Sequence, residues 1–533
     1  MSEEIEVTSW ADKVAEEVIA QKKAPFTVHG MWTPSGYFHI GNSRPEIFTP
    51  YSVRKALESK GYKVHQRFIA DDFDAIDKIP AGVPVKESEQ PEYIGKPCYL
   101  APSPFPGYKS WADYFTSEIP EILPKYGVQL EIVSAFEEYQ QGIYNDTIIF
   151  ALDHAKEIVK IWTEIAKSKK EETFLPIQVL CPDCKKITGN VSNWNGKTVN
   201  YVCTYCNAQG EIKPFNGNAK LHWRVHWVAH WVHYGVSFES GGKDHFSKGG
   251  SVDVGRVLCK EVFKKDPPVQ FPTEFIQLKG GAKMSGSAGN VISLKEWEKT
   301  ASPELFRFMI FSHKPQSSIE FGFDDNSFVL LNENFERAER IYYGLDSTQA
   351  EKLTHKIKRE YELSLLEKPS EKMPAQISFG FATLLAQILD PKKDINKLEE
   401  ILLTSGHVKE KLAESDKHKF SEKLLRCQYW IEKYAQEQSK IKFQENPSQE
   451  FTAFATNEIK KCILSLSEKM QTKQTAEEIQ QMVFETAKGN NIQPKDLFKA
   501  LYLLLINKDR GPKIGTLIHA FGIEKVKQAF RKV

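Results

Sequence analysis

Neither sign of charge prevails in this 533-residue sequence: 71 lysines and arginines stand against 70 acids, a net of +1. Bulk charge therefore gives no attraction to nucleic acid, and any such surface must be a local patch. No apolar run approaches the roughly 20 residues that a membrane-spanning helix needs, so no membrane association is expected. The opening MSEEIEVTSW carries acids and no apolar core, which does not fit a signal peptide, and the expectation is a cytoplasmic protein. Cysteine is scarce, with 8 in all, too few for a disulfide scaffold in a chain of this size. Internal repeats and low-complexity tracts are missing too. What remains is 41% hydrophobic and 26% charged, ordinary for a globular chain, and the length suggests three or four domains.

Four of the few cysteines are clustered. Cys181 and Cys184 form one C-x-x-C pair, Cys203 and Cys206 a second. Each pair places two thiolates on one turn, and two turns complete a tetrahedral S4 site for Zn2+. Such a site has no open position, so its role is structural. Between the pairs lies Asn193-Trp194-Asn195-Gly196, a hairpin signal. The segment reads as a small zinc ribbon, the alternative being a former ribbon kept for packing. Cys98, Cys259, Cys427 and Cys462 are scattered and are expected to be buried or inert.

Two short strings carry the chemistry. The first is TPSGYFHIGN at 33–42, the second KMSGS at 283–287. Together, and in this order, they resemble the HIGH and KMSKS signatures of class I aminoacyl-tRNA synthetases. Activating an amino acid joins its carboxylate to the α-phosphate of ATP and releases pyrophosphate, so catalysis is mostly positioning and charge stabilisation. Gly36 and Gly41 suit close approach of backbone to a nucleotide, and His39 and Asn42 can donate to phosphate oxygens. Phe26-Thr27-Val28 reads as a buried strand and Pro45 to Leu57 as a helix, so the string sits on a strand-to-helix turn, where a helix N-terminus attracts anions. Pro34, Ser35, Gly36, His39, Gly41 and Asn42 are thus the first ATP-binding set. Lys283, Met284 and Ser285 are the second, on a glycine-rich loop in which Lys283 faces the departing pyrophosphate and Gly286 stands where the motif has its second lysine. Taken alone, Lys283 would read as a charge on a surface loop that binds nothing.

Between the strings lies KLHWRVHW at 220–227, then Trp231 and His233, then GGKDHFSKGGSVD at 241–253. Trp223, Trp227 and Trp231 are four apart, which places them on one helical face. The histidines read as a polar helix face. The glycine-rich string with Asp244, His245, Gly249, Gly250 and Asp253 suits ribose hydroxyls and an α-amino group.

From TPSGYFHIGN through KLHWRVHW, GGKDHFSKGGSVDVG, EFIQLKG, KMSGSAGNVISL, SPELFRFMIFSHKP and ERAERIYYG to KDRGPKIGTLIHAFG, the chain resembles the archaeal-type class I lysyl-tRNA synthetases nearly end to end. The resemblance implies an α/β Rossmann-like catalytic domain over 1–320, with the zinc-ribbon insertion at 173–215. A helical connector at 321–368 and an all-α anticodon-binding region at 369–533 would follow. It implies activation of lysine with ATP and Mg2+ and transfer to tRNA(Lys), with catalytic roles for His39, Asn42 and Lys283. Thr33, Trp223 and His245 match positions at the amino acid. A monomer is the favoured state. The chain also departs from the family. An acid and an arginine of its tryptophan string are here His226 and His230, and an aromatic before EFIQLKG is Thr273. A class I enzyme for another amino acid, or a non-catalytic paralogue that binds tRNA or an amino acid, are the alternative readings.

Downstream, Phe335, Ala338, Ile341 and Tyr342 recur at helical spacing. Further helices are expected through Leu424, Tyr429 and Tyr434, through Ile459, Ile463 and Leu466, and from Leu497 to Ile506. The closing Arg510-Gly511-Pro512-Lys513-Ile514-Gly515 reads either as a turn contacting RNA backbone or as a plain helix-capping turn.

Overall fold

The computed structural model describes residues 9–533 except 279, 281, 285–290, 325, 438, 439 and 473, with backbone alone at 282 and 283. The chain divides into two compact units. One comprises Met1–Trp297, Pro303–Gly322 and Gly344–Pro369; the other comprises Glu298–Ser302, Phe323–Tyr343 and Ser370–Val533.

The first unit is a Rossmann-like α/β core. Its strands are β1 (Phe26–Trp32), β2 (Val64–Ala70), β3 (Glu131–Ser134), β4 (Phe238–Gly242) and β5 (Val269–Thr273). They form one sheet in the order β5-β4-β1-β2-β3, and every neighbouring pair is parallel. A parallel strand covered on both faces needs a near-continuous apolar run. Phe26 and Val28 on β1 and Phe68 and Ile69 on β2 are at most 1% exposed. The chain builds outward on one side of β1, then returns to its other side with β4. That reversal opens a crevice beyond the carboxyl ends of β1 and β4, the place where such sheets bind ligands.

Helix α1 (Trp10–Gln21) opens on a Ser9–Asp12 capping box. A second helical run, α2, follows the first signature as Ile40–Ser43, Arg44–Phe48 and Thr49–Ser59. It starts at Ile40, five positions before the expected Pro45. Proline has no N–H for the helical ladder, and the wide π-turn over Arg44–Phe48 accommodates it. Where α2 crosses β1, a Cβ on Gly30 would stand 1.8 Å from the Glu46 carbonyl oxygen, so only glycine fits there.

The cysteine-bearing insertion is built from short antiparallel strands. Ile177–Leu180 pairs with Ile187–Thr188 and with Ala219–Leu221, while Val199–Val202 pairs with Val191–Ser192 and Gln209–Ile212. The Asn-Gly hairpin is present: Asn193 and Gly196 have φ of 58° and 89°, and the Asn195 side chain accepts from the Lys197 and Thr198 N–H groups, each at 2.9 Å.

The second unit is helical. Its longest helix, Glu414–Lys433, sets Trp430 against Phe379 and Phe328, with ring centroids 5.2 and 5.9 Å apart. Toward the C-terminus lie Asn457–Lys469, Ala476–Gly489, Pro494–Ile506, Ile514–Phe521 and Ile523–Phe530. Gly515 lies inside a helix, not in the turn before it. A Cβ there would stand 1.9 Å from the Ala476 carbonyl oxygen, so this glycine lets two helices close on each other. Among the described residues no helix is long and apolar enough to cross a membrane.

Candidate active site

The first signature loop leaves the end of β1 and enters α2 at the crevice. His39 is the N-cap, with extended backbone at φ −147°. Its Nδ1 accepts from the N–H groups of Gly41 (3.0 Å) and Asn42 (3.3 Å), while Asn42 Oδ1 accepts from His39 N–H at 2.8 Å. Ile40 N–H donates to the Ile292 carbonyl at 2.9 Å. The expected backbone anion site is thus corrected. The first amides of α2 are satisfied within the protein, and an Nδ1 that accepts leaves Nε2–H as the ring's donor. Asn42 keeps its Nδ2 group as donor. Gly41 has an internal reason as well, since a Cβ would meet His39 Cε1 and Nδ1 at 2.8 Å. Pro34 is buried, Gly36 half-buried and Ser35 exposed on the same loop.

The second signature begins in a small sheet of β6 (Ile276–Leu278), β7 (Ala282–Lys283) and β8 (Ile319–Glu320), with β6 in the middle. Lys283 pairs with Gln277 on β6, and the Ile276 carbonyl oxygen is 3.7 Å from where a Cβ on Gly41 would stand. The backbone of Lys283 is therefore one strand away from the first signature. Met284 is buried at 2% exposure. Ser285 and Gly286 lie outside the described residues.

The glycine-rich string continues β4. Helix α3 (Trp223–Tyr234) precedes β4 in the chain, Lys243–Phe246 after it is one tight turn, and helix α4 (Ser251–Val257) follows. Asp244 is exposed. Gly249 has φ 73°, and a Cβ on it would meet the Ile165 carbonyl oxygen at 2.6 Å; one on Gly250 would meet those of Ser247 and His245 at 2.6 and 2.8 Å. Asp253 accepts from Gly249 N–H at 2.9 Å. Gly249, Gly250 and Asp253 thus have a local structural role in holding this turn. The His245 ring stands 5.5 Å from Trp223 and 5.4 Å from Trp227, and the two indoles stack at 5.5 Å.

Of the histidines on α3, His233 is exposed as expected from sequence, but the other two are not on a polar face. His226 and His230 are fully buried, their ring centroids 4.0 Å apart. Burial, aided for His226 by the Lys220 charge, pushes both pKa values well below the ordinary imidazole range, so both rings are neutral. His226 Nδ1 lies 2.7 Å from the Tyr139 hydroxyl. Thr273, where the resemblance leads one to expect an aromatic residue, is fully buried opposite Gly242.

Sequence reasoning missed an acidic cluster beside Thr33. The Thr33 hydroxyl donates to Asp74 Oδ2 at 3.2 Å, and the fully buried Lys220 ammonium donates to Asp74 and lies 3.5 Å from Asp71. Burial alone would lower the Lys220 pKa, but Asp71 and Asp74 outweigh it and hold it above the usual value. Two carboxylates thus face one ammonium, and Asp74 reaches solvent with 34% of its side chain. Neighbouring Asp72 caps Phe136 N–H at 2.8 Å, and burial pushes it up to about 7. The signal was present as three acids at the carboxyl end of a buried strand, but Lys220, which pairs with two of them, is 146 positions from Asp74.

The four cysteines meet in space, all Sγ atoms lying within 4.8 Å of one another. Cys181–Cys206 and Cys184–Cys203 are each at 3.6 Å, close to the roughly 3.8 Å edge of a tetrahedron with 2.3 Å metal–sulfur bonds. Both turns have the same build. Lys185 and Asn207 have φ of 57° and 60°, and their N–H groups bond to the carbonyls of Cys181 and Cys203 at 3.0 Å. The donor set fits a tetrahedral zinc.

A family model described as tRNA synthetases class I (K) matches residues 8–367. Lysine–tRNA ligases are similar along the whole chain. That of Pyrococcus furiosus is 35% identical, over 98% of this chain and 99% of its own length. That of Methanocaldococcus jannaschii is 33% identical over 96% and 97%, and that of Borreliella burgdorferi 33% identical over 98% and 99%. With a family model over residues 8–367 and relatives of 33–35% identity matched along nearly the whole chain, the chain belongs to the class I tRNA synthetases (K).

Proposed function

We propose that this chain activates lysine with ATP and esterifies it to tRNA(Lys). The observation that carries the reading is the first signature lying against β6, the strand that pairs with Lys283, in a chain whose relatives, matched end to end, are lysine–tRNA ligases. A carboxylate oxygen of lysine attacks the α-phosphorus of ATP; a P–O bond forms there and the bond to the β-phosphate breaks, releasing pyrophosphate. In this reading His39 and Asn42 would donate to the phosphates, and Lys283 would supply charge where pyrophosphate departs. Mg2+ bound with ATP would add charge neutralisation at the phosphates. A hydroxyl of tRNA then attacks the adenylate carbonyl and AMP leaves.

Lysine brings an extra ammonium, which is costly to bury unpaired. The surplus carboxylate of the Asp71–Asp74–Lys220 cluster, opening beside Thr33, supports a cationic amino acid there. Trp223 adds an aromatic face, worth about 0.5–2 kcal/mol to a cation. We assign Cys181, Cys184, Cys203 and Cys206 to a structural zinc. The helical unit is read as the anticodon-binding part, and the setting as cytoplasmic.

Amino-acid-dependent ATP–pyrophosphate exchange across the twenty amino acids is the test. Lysine alone should support exchange, and Lys283→Ala should slow it on the order of 10²-fold. Exchange with a different amino acid, or with none, would overturn the lysine reading. An unaltered rate in Lys283→Ala would overturn the role of that residue.

A further inference from the structure

Beneath the Trp223–His245 wall lies a carboxylate that the chemistry above does not use. Glu239 is 1% exposed on β4, opposite His29 on β1. Three donors converge on it. Trp227 Nε1–H donates to Oε1 at 3.0 Å, His29 Nδ1 is 2.8 Å from the same oxygen, and Trp231 Nε1–H donates to Oε2. A buried carboxylate is costly and persists only when its acceptor sites are filled. Indoles in this chain do not need such an anchor for burial: Trp111 and Trp162 are fully buried with no hydrogen-bond partner on Nε1. Two indoles tied to one charged acceptor therefore call for a reason other than packing.

The reason lies one layer up. Trp227 is the middle ring of the wall, stacked on Trp223 at an interplanar angle of 28° and set against His245 at 64°. A Cβ on Gly241, at the carboxyl end of β4, would be 3.9 Å from both His245 Cδ2 and Trp227 Cη2. The two ends of Trp227 are thus held differently: its N–H is fixed in the sheet by Glu239, and its six-membered ring meets the rings of the site. A bond to a charged acceptor is directional and stronger than one between neutral groups, so it sets the tilt of an indole that apolar packing would leave free to shift.

We propose that Glu239 is a positioning residue for the amino-acid site. It orients Trp227, and through Trp227 the Trp223–His245 wall, so that its effect falls on binding of the amino acid and not on ATP. The proposal rests on the reading that this wall faces lysine. Glu239 itself is too buried to touch substrate.

The test is exchange by the full chain, with lysine and ATP varied separately, in Glu239→Gln, Trp227→Phe and Trp223→Ala. Losing one hydrogen bond to a charged group should raise the KM for lysine about tenfold in each of the first two variants, with the KM for ATP and kcat little changed. If Trp223→Ala raises the lysine KM while Glu239→Gln and Trp227→Phe do not, the wall reading stands and the positioning role is overturned. If Trp223→Ala leaves it unchanged, the wall reading fails and the proposal falls with it. A parallel rise in the KM for ATP would show a general loss of structure and overturn the proposal. Should Glu239→Gln fail to fold, Trp227→Phe decides alone, because it leaves Glu239 bonded to His29 and Trp231.

Discussion

His39 is the residue at which sequence and structure can be compared most closely. Its presence in a signature was legible, and so was the strand-to-helix turn. Which ring nitrogen the fold takes up was not, because the Nδ1 cap onto Gly41 and Asn42 depends on a side-chain rotation that no spacing reveals. The cap makes Gly41 a sharp test. In Gly41→Ala the new Cβ would meet the imidazole at 2.8 Å and turn it out of place. Misplacement of about 1 Å near the chemistry can cost roughly 10²-fold, so exchange should fall by about that factor while the circular-dichroism melt stays cooperative. A variant that keeps its rate would show that the ring orientation is not needed. Asp74 and Lys220 were illegible for a different reason: their pairing joins segments far apart in the chain, and only the folded sheet brings them together.

At the scale of elements, α3 carries the larger lesson. Its tryptophan face was visible from the four-residue spacing, but the two histidines were assigned to the wrong side, because polar residues are normally placed outward. Inside, they are neutral, and this has a consequence for acid stability. Their folded pKa values lie well below 6.5, so below pH 6.5 the unfolded chain binds more protons than the folded one, and stability is lost as pH falls. Each histidine should contribute about 1.4 kcal/mol per pH unit in that range. Buried acids such as Asp72, raised to about 7, act in the opposite direction. The measurement is therefore a difference: urea denaturation of the native chain and of His230→Phe at pH 6.5 and 5.5 should show a shallower loss in the variant. Equal slopes would mean that His230 is protonated in the fold.

The cysteine turns are the opposite case, an element read correctly in outline because C-x-x-C spacing encodes local geometry. Protein purified without added metal should carry about one zinc per chain, and Cys184→Ser should lose it. Chelation should speed hydrogen exchange across 181–206 before it reaches the parallel sheet. A fully protected, metal-free chain would remove zinc from this account.

At the scale of the whole molecule, the sheet order and the reversal beside β1 were implied only by family resemblance. Nothing in the composition of β3 or β5 fixes their neighbours. Equally hidden was the tie between the two ends of the first unit. Asp12, fully buried on α1, accepts from Arg359 at 3.0 Å, and the two are 347 positions apart. Arg307, also buried, donates to the carbonyls of Leu363 and Leu365 at 2.9 and 2.7 Å. Arg359→Ala would leave the Asp12 carboxylate buried with its Ser9 bonds but without a cation, and a loss of about 3 kcal/mol is expected in urea denaturation. A loss under about 1 kcal/mol, the size of a surface pair, would show that the tie is loose.

That same tie sets an order of events during synthesis. Ribosomes deliver the N-terminus first, yet Asp12 must wait for a segment that emerges only after Phe323–Tyr343, a stretch belonging to the other unit. A nascent chain halted at residue 322 would hold β1 to β5 and both signature regions, but an acid still unpaired. Chains released there should be caught by proteases or chaperones, whereas chains released at residue 369 have the arginine in hand.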